Sequence, residues 1–147
     1  MTASTALLHR VHQEDISQAL AILPTHKYQN EGGPGIRDIA ALLGENSSAP
    51  KEDVATVLDS VVLNWLIAGT NAHAKNYALL IGAGGTVRLA PLYDVASILP
   101  YRDIDIERAR ASMKIGGEYR LRSIRAYHWH KLAVELKLDP DKTLRRV

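Results

Sequence analysis

The chain of 147 residues contains no cysteine. That absence excludes disulfide frameworks, Cys-ligated zinc, iron–sulfur clusters and thiol nucleophiles together, and it fits a reducing cytoplasm. No secretory signal is visible in Met-Thr-Ala-Ser-Thr-Ala-Leu-Leu-His-Arg, which has no basic region followed by a long apolar one, and none is expected. Long hydrophobic runs are lacking too: the stretch from Val61 to Gly69 includes Asn64 and falls far short of the roughly 20 residues of a spanning helix. A formal charge of +2 is too small to mark a nucleic-acid surface. Repeats, heptads and low-complexity tracts do not occur, so one domain covering 1–147 is expected. What is present, 46% hydrophobic and 23% charged residues, is the composition of an ordinary globular domain with a core.

Periodicity then places the elements. Ile16, Ala19, Leu20 and Leu23 recur at helical spacing within Gln13–Leu23, and Pro24 ends the pattern. Ile36, Ile39, Ala40 and Leu43 mark a second, short helix after Pro34-Gly35, with Gly44 expected to stop it. The strongest stripe is Val54, Val57, Leu58, Val61, Val62, Trp65 and Leu66, preceded by Pro50, Glu52 and Asp53 as a first turn prefers. It predicts a core helix. Tyr77–Ile81 and Val87–Leu89 flank Gly82-Ala83-Gly84-Gly85 and predict a β-hairpin. A last amphipathic helix after Ser123 carries Ile124, Leu132, Ala133 and Leu136, and Asp139-Pro140 breaks it and begins another. The predicted fold class is mainly α with one small β-hairpin.

Chemistry concentrates between the core helix and the hairpin, in Gly69-Thr70-Asn71-Ala72-His73-Ala74-Lys75-Asn76. One reading is a helix C-cap, with Gly69 left-handed and Asn71 or Asn76 satisfying backbone groups. The other is a functional loop held by rigid elements. Beyond the hairpin, Leu89-Ala90-Pro91-Leu92-Tyr93-Asp94 delivers a carboxylate at a strand exit, where it can face the same cleft as Asn76. Oxygen ligands gathered in this way suit magnesium.

These segments together resemble the HipA-like serine/threonine kinases: Asn64-Trp65-Leu66-Ile67, His73-Ala74-Lys75-Asn76 and Leu89-Ala90-Pro91-Leu92-Tyr93-Asp94-Val95-Ala96-Ser97. His12-Gln13-Glu14-Asp15, Lys27-Tyr28 with Gly32-Gly33-Pro34, and Met113-Lys114-Ile115-Gly116-Gly117-Glu118 follow in the same order. Several motifs in register are more specific than any single one. The resemblance implies the C-terminal lobe of a protein-kinase-like fold, facing an ATP cleft. In that family the glycine-rich loop and nucleotide-binding lysine belong to an N-terminal lobe that precedes the segment where Met1 begins, so that lobe is expected to be absent from this chain and the chain by itself to be inactive.

The resemblance carries Asn76 and Asp94 onto the metal-binding positions, and Lys75, Asn76 and Asp94 onto the nucleotide side, with Mg2+ and ATP as the cofactors of the complete kinase. It places His73 and Lys75 inside the catalytic loop. The base of a kinase loop is an Asp five residues before the metal-binding Asn. Here that residue is Asn71, an amide that cannot accept a hydroxyl proton as a carboxylate does. His73 is read as a loop-ordering donor against a substrate or phosphate contact, and Lys75 as a phosphate contact against a solvated lysine.

Two other motifs are set aside on geometry. His128 and His130, one residue apart on a helix, point to different faces and make no metal pair. Gly32-Gly33-Pro34-Gly35 lacks the spacing of a phosphate loop and reads as a turn, while Gly116-Gly117 beside Lys114 reads as a turn between helices.

Three functions follow. In the first, which the resemblance implies, the chain is the C-lobe of a toxin kinase of a toxin–antitoxin pair, phosphorylating a Ser or Thr of a translation protein such as an aminoacyl-tRNA synthetase. Its neutralising partner is then a HipB-like helix-turn-helix antitoxin. The second is a non-catalytic binding module. The third is one half of a split kinase whose N-lobe is separately encoded. None involves a membrane or direct nucleic-acid binding.

Overall fold

The computed structural model describes residues 10–147, so most of the stretch read for a signal lies outside it. Helices α1 (Ile16–Ala19), α2 (Ile36–Asn46), α3 (Pro50–Leu66), α4 (Ala126–Glu135) and α5 (Pro140–Leu144) predominate. Strands β1 (His12–Asp15), β2 (Ala78–Ile81) and β3 (Val87–Leu89) make one sheet, and β4 (Arg110–Ile115) with β5 (Glu118–Arg120) another.

Helix α3 forms where the stripe predicted it. Pro50 occupies the first turn, where its missing N–H breaks no helical bond, and Val54, Val57, Leu58, Val61 and Val62 are buried. Trp65 is half-buried, donating Nε1–H to the Leu121 carbonyl at 3.1 Å and meeting Trp129 edge-on at 5.5 Å between centroids. Leu66 departs from the prediction: it is the last residue of α3 and is 60% exposed.

Helix α2 packs its Ile36, Ile39, Ala40 and Leu43 face against α3. It runs through Gly44 to Asn46, because the left-handed turn that makes glycine a stop is not taken there; Ser47, extended, ends the helix instead.

The helix predicted over Gln13–Leu23 shrinks to α1. Asp15 caps it, accepting from the Gln18 N–H at 2.9 Å, while residues 12–15 pair antiparallel with β2. Four apolar residues at helical spacing do not reveal a strand partner more than sixty positions away, and here that pairing wins. The predicted hairpin is correct in place and gains β1 on its open edge.

The second correction is the Gly116-Gly117 turn, which joins two strands and not two helices. Both glycines take positive φ, and a Cβ on Gly116 would overlap the His128 backbone carbonyl. Gly116→Ala should therefore cost about 2 kcal/mol in urea unfolding, whereas Gly84→Ala, left-handed but in open space, should cost about half of that. Equal losses would remove the close approach as the cause.

Ile124 precedes α4 and is buried, and Asp139 caps α5 as predicted, accepting from the Asp141 and Lys142 N–H groups. His128 is buried, its Nδ1 accepting from the Arg125 N–H at 3.0 Å, while His130 is exposed. Among the described residues no three potential metal ligands of the His, Asp and Glu types gather, and no helix is long and apolar enough to cross a membrane.

Candidate active site

The loop after α3 is shaped by its own short-range bonds. Ala68, and not the expected Gly69, takes the left-handed conformation at the helix end. Gly69 is required for another reason: a Cβ there would overlap the Asn64 side chain, whose Nδ2 is donated to the Ser60 carbonyl at 2.8 Å. The loop then closes twice, through His73 N–H to Asn71 O and Asn76 N–H to His73 O, both 2.9 Å, with a single 3₁₀ turn over Ala74–Asn76 leading into β2. His73, Ala74 and Asn76 are buried by this winding, while Asn71 stays exposed.

The strand exit meets the loop as the sequence suggested. Asn76 Nδ2 donates to Asp94 Oδ2 at 2.8 Å and to the Asp94 carbonyl at 3.3 Å. Asp94 has a left-handed φ of 54°, tolerable for Asp, and the two bonds from one amide hold it there. With its nitrogen committed, Asn76 keeps its Oδ1 as a hard donor beside the Asp94 carboxylate, a donor pair of the type magnesium takes.

The other predicted residues occupy the same neighbourhood in different states. Lys75 Nζ pairs with Asp15 Oδ2 at 2.6 Å, with both side chains mostly covered, so the loop is tied to the end of β1. The Lys75 backbone carbonyl accepts from the Tyr93 hydroxyl at 2.5 Å. Burial, with Asp15 and Asp94 adding negative charge, pushes the Tyr93 hydroxyl up, which keeps it a neutral donor. Burial also pushes the His73 imidazole below its ordinary value, helped by Lys27 and Lys75 and opposed in part by Asp94. His73 is therefore neutral near pH 7, and its Nδ1 lacks a partner among the described residues. Asn71 Oδ1 accepts from the Tyr28 hydroxyl at 3.1 Å; no hydrogen bond joins it to Asn76 or Asp94.

Residues 2–147 match the model of the HipA-like C-terminal domain. The chain belongs to this family. Among relatives of the HipA-like chain, Y4mE of Sinorhizobium fredii, provisionally named a kinase, is 36% identical over 141 residues, covering 96% of this chain and 33% of its own. Y4dM of the same organism, named in the same provisional way, is 35% identical over 91 residues, or 62% of this chain and 21% of its own. The fold is that of HipA from Shewanella oneidensis, solved with HipB and operator DNA: the TM-score is 0.82 at 22% identity, over 99% of this chain and 37% of that one. The chain thus spans about a third of the length of Y4mE and of the Shewanella protein.

Three residues of the site were not singled out from the sequence: Asp15, Tyr28 and Tyr93. Each lay inside a segment that carried the HipA-like resemblance, and that was the available signal. Their roles depend on partners far along the chain, which spacing does not encode.

Proposed function

We propose that this chain is the C-terminal lobe of a HipA-like serine/threonine kinase, one that moves the γ-phosphoryl of ATP to a protein hydroxyl when an N-terminal lobe closes the cleft. The observation that carries this reading is the Asn76–Asp94 contact at 2.8 Å, which brings a loop amide and a strand-exit carboxylate together as kinase metal positions require. Asn76 Oδ1 and the Asp94 carboxylate would hold magnesium, which when bound neutralises charge on the transferring phosphate.

The chain's own residues set the rest. Asn71 stands at the base position and can orient a substrate hydroxyl through hydrogen bonds, but as an amide it has no basic site for its proton. Lys75, engaged with Asp15, secures the loop against β1 in this state and does not serve as an open phosphate contact. His73, buried and neutral, closes the loop through its backbone N–H and carbonyl and not through a ring hydrogen bond among the described residues.

A HipB-like helix-turn-helix antitoxin, a cytoplasmic setting and a protein substrate from the translation machinery belong to the same proposal. They rest on family resemblance, and for the antitoxin on the HipB present with the Shewanella HipA. Asn71 supports a second reading, a binding module that keeps the fold and phosphorylates nothing.

One experiment separates the two. The 147-residue chain alone should label no protein substrate with radioactive phosphate. Fusion to an N-terminal lobe carrying the glycine-rich loop and lysine should give slow, magnesium-dependent labelling of Ser or Thr that Asp94→Ala abolishes. Labelling by the isolated chain, or labelling that survives Asp94→Ala, overturns the assignment. A folded fusion that stays silent even with Asn71→Asp supports the binding module.

A further inference from the structure

The Lys27-Tyr28 and Gly32-Gly33 segment carried family resemblance without a role, and the structure shows what it builds. The N–H groups of Glu31 and Gly33 both donate to the Tyr28 carbonyl, at 3.0 and 2.9 Å. A Cβ on Gly33 would overlap the His26 carbonyl and come within 2.8 Å of the Tyr28 carbonyl, so only glycine lets the turn close this tightly. The turn thereby fixes the backbone from which the Tyr28 ring projects.

That ring meets the catalytic loop at two points. It packs edge-on against buried His73, with centroids 5.1 Å apart, and its hydroxyl donates to Asn71 Oδ1 at 3.1 Å across 43 positions of the chain. The Lys27 ammonium lies 5.1 Å from the ring centroid. An exposed asparagine otherwise rotates freely and presents either end of its amide to solvent. With its oxygen engaged by Tyr28, Asn71 keeps its Nδ2 hydrogens as the free group.

We propose that Tyr28 is a positioning residue for the base position, holding the side chain at 71 so that Asn71 offers its NH2 as a donor to an acceptor oxygen of the substrate. The functional consequence rests on the kinase reading. The contact itself does not, and neither does its primary test. In the Asn71→Asp chain the same hydroxyl would donate to the new carboxylate and favour its ionised form, as any hydrogen bond to the charged state does.

The test is a carboxyl-carbon NMR titration of two full chains, Asn71→Asp and Asn71→Asp with Tyr28→Phe. Phenylalanine preserves the ring against His73, and Lys27 and His73 are common to both chains, so the comparison isolates the hydroxyl. The introduced carboxyl should be about tenfold more acidic with Tyr28 than with phenylalanine. Matching titrations, in two chains whose amide spectra show the same fold, overturn the proposal.

In the completed kinase carrying Asn71→Asp, Tyr28→Phe should lower kcat about tenfold with little change in KM and move the acid limb of the pH–rate profile upward. A shifted carboxyl in a kinase that stays silent upholds the positioning and removes the kinase reading. An unshifted carboxyl in an active kinase does the reverse.

Discussion

With an N-terminal lobe supplied by fusion, Asn71→Asp should transfer phosphate roughly 10²–10⁴-fold faster than the same fusion carrying Asn71, the range usual for a positioned general base. The expectation follows from what the loop already has. Asn76 and Asp94 are in contact, and the winding from Asn71 through His73 to Asn76 is closed by its own backbone bonds, so the substitution alters one group within a built frame. Asparagine and aspartate are nearly isosteric, and Tyr28 can donate to either. The gain must vanish with Asp94→Ala, since a base without the opposing metal position has no oriented phosphate to serve. Asn71→Ala adds a further comparison: it should be slower than Asn71 if the amide orients the hydroxyl. A fusion carrying Asn71 that already matches its Asn71→Asp variant would show that orientation alone suffices and that the base assignment is wrong.

The features legible in the sequence were those whose cause is local. The α3 stripe repeats at helical spacing within one segment and is buried from Val54 to Val62, and Asp139-Pro140 holds both the break and the new cap within two residues. The Val87–Leu89 strand was visible because a glycine-rich turn precedes it. The pairing of β1 with β2 was not, since His12–Asp15 is too short and polar to announce a strand and its partner begins at Ala78. The β4–β5 hairpin was missed for a related reason: Gly116 and Gly117 signal a turn without saying what they connect.

The site divides in the same way. Asn76 and Asp94 were identified by family resemblance and by the chemistry of their oxygens, and the fold does bring them together. The Lys75–Asp15 and Tyr28–Asn71 contacts join residues 60 and 43 positions apart, and only the folded chain makes them neighbours. Their consequence is chemical. An ion pair changes Lys75 from a free cation into a tether, and one phenol decides which end of Asn71 is presented.

Asp53→Ala should lower the stability to urea by about 3 kcal/mol, as much as the loss of a buried core side chain. In the sequence Asp53 reads as a favourable first-turn charge on α3; in the structure its residue is 3% exposed and its carboxylate is a junction. It accepts from the Ser47 hydroxyl at 2.6 Å, the Leu89 N–H at 2.9 Å, and Arg88 Nε and a terminal guanidinium nitrogen at 3.2 and 3.0 Å. Removing it strands a backbone donor of β3 and a hydroxyl, and the helix start loses its tie to the sheet. Arg88→Ala should cost less, because that side chain is half-exposed and water replaces part of the pair. The effect also has a pH signature. Burial raises the Asp53 pKa, but the hydrogen bonds from Arg88, Ser47 and Leu89, together with the charge of Arg88, outweigh it and hold the carboxyl below its ordinary 3.8. A depressed folded-state pKa means that ionised Asp53 contributes its full stability above the unfolded value and loses it as pH falls through the folded one. The gap between the parent and Asp53→Ala should therefore be constant from pH 7 to about pH 5 and narrow below about pH 4. Urea midpoints at pH 7, 5 and 3 measure it: a gap that persists undiminished at pH 3 would assign the loss to packing and not to the charged junction.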